Sequence, residues 1–279
     1  MDLNLVNDSP IHPCANTIEY LNGNKAAILF IHGFPSSPAE HLLAVNLAKS
    51  FPFDLLSPRI PTFASDYNLF LKTTFNDWYE FIKSYYITWR KKYSRFFIVG
   101  TSMGGAITLK LASEFSNDNK LRPTAITTIA APVFLNRFPS LTFRQPFAFC
   151  LPLIGIFTKA VKPVLRYPTK EKRDGVENWC GYNGIFVKPT ISFFKALKII
   201  KKNLANVSVP AMLIHHKGDK TVPFANLFYI ASKISSHQVE CHILQDMSLT
   251  ENRHCLLIYK SVSQKLLNKI ITFFNTLEE

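Results

Sequence analysis

Short, continuously apolar runs alternate along the chain with longer segments whose apolar residues recur every three or four positions. Runs of the first kind predict buried strands, and segments of the second kind predict helices. The predicted strands are residues 26–31, 53–56, 96–99, 125–131, 211–215 and 239–244. The predicted helices are residues 41–50, 78–92, 103–114, 224–234 and 255–277, with Asn76 or Asp77 capping the second. Apolar strands separated by helices favour an α/β fold, a mostly parallel sheet flanked by helices on both faces.

The alternation of strands and helices is interrupted once, between the fourth and fifth predicted strands. We therefore expect a single domain over residues 1–279, with a core of residues 20–132 and 207–279 and a cap insertion at about residues 133–206. Sheets of this class bind their ligands beyond the carboxyl ends of the strands. Functional side chains are therefore expected directly after the strands.

A candidate nucleophile follows the third predicted strand. Residues 100–104 read Gly-Thr-Ser-Met-Gly and match the pattern G-x-S-x-G, which is weak alone. Here the match follows a strand and opens an apolar helix, the setting of a nucleophile elbow. Gly100 and Gly104 suit this turn because neighbouring backbones pass too close for a side chain. We predict that Ser102 is a nucleophile, and the alternative is an ordinary glycine-rich turn before a helix.

A serine hydroxyl needs a base to take its proton, and the base needs an orienting carboxylate. After a nucleophile elbow, the chain order is the acid and then a histidine. Asp219 lies just beyond the strand at residues 211–215, and His254 lies beyond the last strand, directly before the last helix. These two residues are the predicted acid and base. His216 is the alternative base, and Asp246 and Glu251 are the alternative acids.

The negative charge that develops on an attacked carbonyl oxygen requires preorganised N–H donors. Met103 N–H, at the start of the elbow helix, is predicted to be one donor. Phe34 N–H, in the loop after the first strand, is predicted to be the other, since Gly33 allows a tight turn and Pro35 cannot donate. His32 is predicted to hold this loop through its ring nitrogens.

Taken together, these motifs resemble the bacterial carboxylesterase and monoacylglycerol-lipase branch of the α/β-hydrolase superfamily. The matching segments are residues 31–34, 76–78, 100–105, 130–132, 218–219 and 222–223, and the histidine at 254. The resemblance implies the α/β-hydrolase fold and the hydrolysis of esters through an acyl-enzyme, without a cofactor. It also implies Ser102 as nucleophile, Asp219 as acid and His254 as base, with Phe34 and Met103 as the oxyanion donors.

Three departures from the family pattern leave every catalytic group in place. Ser36 and Arg253 stand where the family often has glycine, and residues 59–63 replace a glycine-rich arginine turn. The predicted function is therefore a serine hydrolase that cleaves carboxylic esters, with medium-chain esters, monoacylglycerols or lysolipids as candidate substrates. A thioesterase or amidase would use the same three residues. A non-catalytic ligand-binding homologue is the alternative from another class.

Most of the positive charge lies in the predicted insertion. The chain has a net charge of +13, and residues 133–206 hold 13 Lys and Arg against 3 Asp and Glu. Aromatic rings are interleaved with these cations. These rings include Phe134, Phe138, Phe143, Phe147, Phe149, Phe157, Trp179, Tyr182, Phe193 and Phe194. Such a segment suits a cap that covers the site, holds an acyl chain and contacts an anionic membrane surface transiently. Alternatively, the rings pack the cap onto the core while the charges face solvent.

Other compositional features narrow the classes of protein to consider. An apolar fraction of 47% and a charged fraction of 18% exclude a disordered chain. No signal peptide is recognisable at the start, and no apolar run reaches the roughly 20 residues that span a bilayer. Five cysteines without a CxxC spacing indicate reduced thiols. We therefore expect a cytoplasmic protein without a metal, a cofactor or a nucleic-acid partner, and its oligomeric state stays open.

Overall fold

The computed structural model describes residues 9–135, 151–167, 174, 179–245 and 253–277. Its strands are β1 Ile18–Tyr20, β2 Ala26–Ile31, β3 Asp54–Ser57, β4 Arg95–Thr101, β5 Ala125–Ile129, β6 Ala160–Arg166, β7 Gly181–Phe186, β8 Ala211–His216 and β9 Val239–Leu244. Its α-helices are α1 Leu42–Ala48, α2 Tyr67–Phe70, α3 Phe75–Arg90, α4 Met103–Phe115, α5 Leu151–Phe157, α6 Val187–Lys202, α7 Ala225–Ala231 and α8 Lys260–Asn275. Seven strands form one sheet in the order β1-β3-β2-β4-β5-β8-β9, in which only β1 is antiparallel to its neighbour.

Both faces of this sheet are covered, which confirms the predicted α/β fold with helices on both sides. Along β2, Ala27, Leu29 and Ile31 belong to the core shared with α3, α4, α6 and α7. The alternate residues of β2 pack into a second core, shared with α1 and α8. A strand that is buried on both faces needs apolar residues at every position, and this is the continuous run seen in the sequence.

Several element bounds differ from the sequence-based expectation. Helix α3 begins at Phe75 behind Thr74, and not behind Asn76 or Asp77. The Asp77 carboxylate instead accepts hydrogen bonds from the Thr74 N–H and hydroxyl, at 2.8 and 2.7 Å. The last helix begins at Lys260, later than predicted, because a short 3-10 turn precedes it and the residue between them is extended. The sequence analysis missed β1, which has three residues and is too short to show a period.

The chain between β5 and β8 contains the predicted insertion. Its described part holds α5, the antiparallel hairpin β6–β7 and α6. Helix α6 packs on the core, where Phe193 stacks on Phe75 with ring centroids 5.6 Å apart. The start of β7 is tied to the loop after β2, because Tyr182 N–H donates to the Pro35 carbonyl at 3.0 Å. The predicted aromatic residues 138, 143, 147 and 149 lie outside the described residues.

Candidate active site

Ser102 occupies the sharp turn between β4 and α4. Its backbone has φ 55° and ψ −117°, a region that side chains avoid and that costs about 1–3 kcal/mol. The turn is held by the Ser102 N–H, which donates to the Ile129 carbonyl at 2.8 Å. A Cβ on Gly104 would lie 1.9 Å from the Ile31 carbonyl oxygen, and one on Gly100 would lie 2.3 Å from the Gly104 oxygen. The close backbone approach predicted for these two glycines is therefore present.

Asp219 and His254 are hydrogen-bonded to each other in the interior. His254 Nδ1 lies 2.7 Å from Asp219 Oδ2, and both side chains are buried. The other carboxylate oxygen, Oδ1, accepts the backbone N–H groups of Thr221 and Val222 at 2.7 and 3.0 Å. Although burial acts to raise the pKa of Asp219, the neighbouring His254 and His215 hold it well below its usual value. The Asp219 carboxylate in turn outweighs the effect of burial on His254 and raises the pKa of that imidazole.

A second histidine shares the same carboxylate oxygen. His215, in strand β8, is buried and places Nε2 3.1 Å from Asp219 Oδ2. From the sequence, His215 and His216 both end a strand and could approach the pocket, but the hydrogen bond of His215 to the predicted acid was not foreseen. The alternative base, His216, accepts the Gly218 N–H through Nδ1 at 2.8 Å and does not line the cavity described below. The alternative acids at positions 246 and 251 lie outside the described residues.

A cavity of about 770 Å³ brings the candidate nucleophile and base together. Ser102 and His254 both line it, whereas Asp219 lies fully buried behind His254. Its wall also contains Gly33 and Phe34 of the candidate oxyanion loop. The predicted insertion contributes aromatic residues to the lining, namely Tyr167, Trp179, Tyr182, Phe193 and Phe194. The volume is in the range of small-molecule sites.

The loop that carries Phe34 is fixed by His32. The His32 Nε2 accepts the Ile60 N–H at 3.1 Å, so the ring proton resides on Nδ1. Nδ1 therefore donates to the Gly33 carbonyl at 3.0 Å, and burial lowers the pKa of His32 to about 4, which keeps the ring neutral. The Gly33 carbonyl belongs to the same peptide group as the Phe34 N–H, so this bond sets the direction of that N–H. The structure supports the holding role predicted for His32.

The Phe34 side chain anchors the same loop from the other side. Its ring lies 5.4 to 6.2 Å from five other rings, and these are Phe63, Phe70, Trp78, Phe186 and Phe193. Met103, the other predicted oxyanion donor, is the first residue of α4 and is fully buried. Because the first N–H groups of a helix have no partner within the helix, the Met103 N–H is free of α4's own hydrogen bonding.

The sequence analysis missed one acidic residue at the site. Glu40, in the short 3-10 helix Pro38–His41, is buried and lines the cavity. Its Oε1 accepts the Gly33 N–H at 2.6 Å. Burial raises the pKa of Glu40 to about 7, against the opposing effect of this hydrogen bond. The chain order of a nucleophile elbow places the orienting acid after the serine, and no local pattern distinguishes Glu40 from a solvent-exposed carboxylate.

A family model described as serine aminopeptidase S33 matches residues 71–254, which is about two thirds of the chain. The chain belongs to this family of α/β-hydrolases. The prediction of an α/β-hydrolase with a monoacylglycerol-lipase-like sequence is therefore confirmed. A curated relative, the thermostable monoacylglycerol lipase of Bacillus sp. (strain H-257), is 31% identical over 94 residues. That match spans 33% of this chain and 37% of the lipase.

Solved structures share the S33 hydrolase fold over nearly the whole chain. A structure described under the metagenome-derived lipolytic enzymes LipS and LipT has a TM-score of 0.76 and 22% identity, and the match covers 95% of this chain and 98% of that one. The monoacylglycerol lipase of Paleococcus ferrophilus has a TM-score of 0.71 and 13% identity, with 94% and 98% covered. At these identities the likeness concerns the fold. Among the described residues of this S33 member, no cluster of His, Cys, Asp and Glu could hold a metal ion, and no helix is long and apolar enough to cross a membrane.

Proposed function

We propose that this S33 family member is a serine hydrolase that cleaves carboxylic esters of lipid type through an acyl-enzyme on Ser102. One observation carries the proposal: Ser102, at a strained turn, shares a cavity with a histidine that is hydrogen-bonded to a buried carboxylate. A strained serine, a base and an orienting acid are the parts that nucleophilic acyl transfer requires.

In the proposed reaction, His254 Nε2 takes the Ser102 hydroxyl proton as Oγ forms a bond to the substrate carbonyl carbon. The oxyanion accepts hydrogen bonds from the N–H groups of Phe34 and Met103. Asp219 keeps the imidazole proton on Nδ1 and stabilises the imidazolium, in keeping with the raised pKa of His254. His254 then gives its proton to the leaving alcohol as the C–O bond breaks. Water attacks the acyl-enzyme by the same route, with His254 again as base, and releases the acid.

The cavity lining favours lipid esters over the amino-terminal peptides that the family description suggests. An aminopeptidase needs an anionic group for the substrate ammonium, and Glu40 is the one acidic residue among the described lining residues. Its Oε1 already accepts the Gly33 N–H. Leu135, Leu165, Ile185 and the aromatic wall offer apolar surface of the kind that an acyl chain contacts. The relatives described as monoacylglycerol lipases are consistent with this preference.

The test is a comparison of p-nitrophenyl esters from acetate to palmitate, with wild-type protein and Ser102→Ala. We expect hydrolysis that the substitution abolishes, and a fluorophosphonate label on Ser102 in mass spectrometry. Acyl-thioester, anilide and amino-terminal peptide substrates, run in parallel, separate the thioesterase and amidase alternatives. A folded wild-type protein that neither hydrolyses esters nor takes the label would contradict the proposal and favour a non-catalytic ligand-binding homologue.

We further propose that the insertion, about residues 133–206, is a cap that contacts anionic membrane surfaces. Helix α5 exposes Leu153, Ile156 and Phe157, whose fractional exposures are 64%, 73% and 88%. Lys159 and Lys162, also exposed, follow directly in the chain. Apolar side chains next to cations suit the interface of an anionic leaflet, where each cation adds about 1 kcal/mol.

Vesicle flotation tests this surface. Binding should be stronger to vesicles that contain phosphatidylglycerol than to phosphatidylcholine alone, and Lys159→Ala should weaken it by about fivefold. Phe157→Ser should also weaken binding, whereas Phe228→Ser, at a half-exposed ring outside the insertion, serves as the matched control. Binding that is indifferent to anionic lipid would refute the proposed surface.

A further inference from the structure

Glu40 is a buried carboxyl group of the cavity wall that the proposed reaction does not use. An isolated carboxylate in the interior is costly unless it is paired or hydrogen-bonded. Glu40 is 1% exposed, and its two oxygens face two different parts of the site. The contacts of each oxygen indicate what the charge does there.

The first oxygen completes a two-sided brace on the oxyanion loop. Glu40 Oε1 accepts the Gly33 N–H at 2.6 Å, and an ionised carboxylate is a stronger acceptor for a backbone N–H than a neutral group. On the carbonyl side of the same residue, His32 donates to the Gly33 oxygen at 3.0 Å. The residue before Phe34 is thus held through both its N–H and its C=O. A loss of either bond would loosen the peptide that carries the Phe34 N–H.

The second oxygen lies near the residue that follows the candidate base, and Glu40 and His254 line the same cavity. Glu40 Oε2 lies 4.0 Å from Cys255 Sγ, next to His254 in the chain. The Glu40 charge acts on His254 and raises its pKa. Two carboxylates therefore act on His254: Asp219, which is hydrogen-bonded to its Nδ1, and Glu40, which acts through its charge alone.

The other titratable groups that face Glu40 among the described residues do not change charge near neutral pH. His41 Nε2 lies 3.5 Å from Glu40 Oε1, but burial lowers the pKa of His41 to about 3, so its ring is neutral. Burial raises the pKa of Cys255 well above its usual value, so that thiol keeps its proton. The pair that can exchange charge in the neutral range is therefore Glu40 and His254.

We propose that Glu40 is a positioning residue of the reaction: its carboxylate holds Gly33, and hence the Phe34 N–H, and its charge stabilises the imidazolium of His254. This inference rests on the proposed hydrolase function. Glu40 is then a second carboxylate that acts on the base, in addition to Asp219, and it precedes the nucleophile in the chain. Protonation of Glu40 removes the charge that stabilises the imidazolium, while the neutral carboxyl group can still accept the Gly33 N–H through its C=O oxygen. Hydrolysis therefore declines on the acid side as Glu40 takes up a proton.

The experiment compares Glu40→Gln and Glu40→Ala with wild-type protein and with the control Glu114→Gln. A glutamine amide oxygen can still accept the Gly33 N–H but carries no charge, whereas alanine loses both. Glu114, at the far end of the elbow helix, pairs with Lys83 and Tyr79 and has no contact with the cavity. Circular dichroism and thermal melting first establish that each variant folds.

We expect Glu40→Gln to lower kcat by about tenfold. We also expect the acid limb of the plot of kcat/KM against pH to move to lower pH by about one unit, because a nearby negative charge no longer stabilises the imidazolium. Glu40→Ala should lower kcat further while KM changes little, because the oxyanion forms only in the transition state. A purely structural role would lower the activity without moving the limb. Unchanged limbs in Glu40→Gln overturn the proposal.

A second readout does not depend on turnover. The NMR titration of His254, followed through the downfield proton on Nδ1, should have a lower midpoint in Glu40→Gln than in wild-type protein. If the wild-type protein hydrolyses no ester and takes no fluorophosphonate, the hydrolase function fails, while this titration still reports on the charge coupling. An active wild-type enzyme whose His254 midpoint is the same in both proteins refutes the role of Glu40 alone.

Discussion

The substitution Asp219→Asn should abolish most of the activity of this protein while it leaves the stability of the fold nearly unchanged. Oδ1 of Asp219 accepts two backbone N–H groups, so the amide oxygen of an asparagine must occupy that position. The amide nitrogen then faces His215 Nε2 and His254 Nδ1, which lie 3.1 and 2.7 Å from the other oxygen. The two hydrogens of this amide nitrogen can bond to both histidine rings only if each ring presents an unprotonated nitrogen to the amide. His254 then carries its proton on Nε2 and can no longer accept one from Ser102.

The expected loss in kcat is about 10⁴-fold, the size found when an orienting aspartate is replaced in this way and the wrong tautomer results. In free energy this is about 5 kcal/mol of activation. Stability should fall by only about 1 kcal/mol, because all four hydrogen bonds of the side chain can be re-formed. The assay is ester hydrolysis and fluorophosphonate labelling, with thermal melting on the same samples.

The matched control is Glu240→Gln, since Glu240 Oε2 lies 3.1 Å from His242 Nε2 in a similar but partly exposed carboxylate–imidazole pair on β9. That variant should keep full activity. A folded Asp219→Asn protein that retains activity within tenfold of wild type would refute the tautomer argument and the role of Asp219 in it.

Two further predictions concern close packing and thiol chemistry. Gly104→Ala should lower the free energy of unfolding by about 3 kcal/mol in chemical denaturation, because its Cβ would meet the backbone oxygen of Ile31 at 1.9 Å. Gly105→Ala should lower it less, because its Cβ would meet a side-chain carbon at 2.7 Å. Equal losses of stability in the two variants would contradict this prediction. Among the four cysteines that the structure describes, Cys14 should be alkylated fastest by iodoacetamide at pH 7, by about tenfold, because hydrogen bonds from Cys180 and His12 lower its pKa to about 6. Cys180→Ala should slow that reaction, and an unchanged rate would exclude the contact as its cause.

The sequence by itself determined the order of strands and helices in the core. Strands β2, β4, β5 and β8 are buried on both faces, so most of their residues are apolar, and such runs can be recognised in the sequence alone. The same logic located Ser102, Asp219 and His254, because chemistry in such sheets follows the strand ends. The structure places Ser102 and His254 on one cavity and Asp219 behind them. Short or irregular elements, such as β1 and the β6–β7 hairpin, carry no such period.

Only the tertiary structure decided which other groups act on those residues. Glu40 lies far before His254 in the chain, and His215 meets Asp219 on an oxygen already used by another ring. The spacing of four residues places His215 near Asp219, but it does not show that both rings share one carboxylate oxygen, and no local pattern links Glu40 to His254. The charge coupling, the buried state of each group and the resulting pKa values depend on distances and on the exclusion of water. Those quantities arise only when segments far apart in the sequence pack against one another.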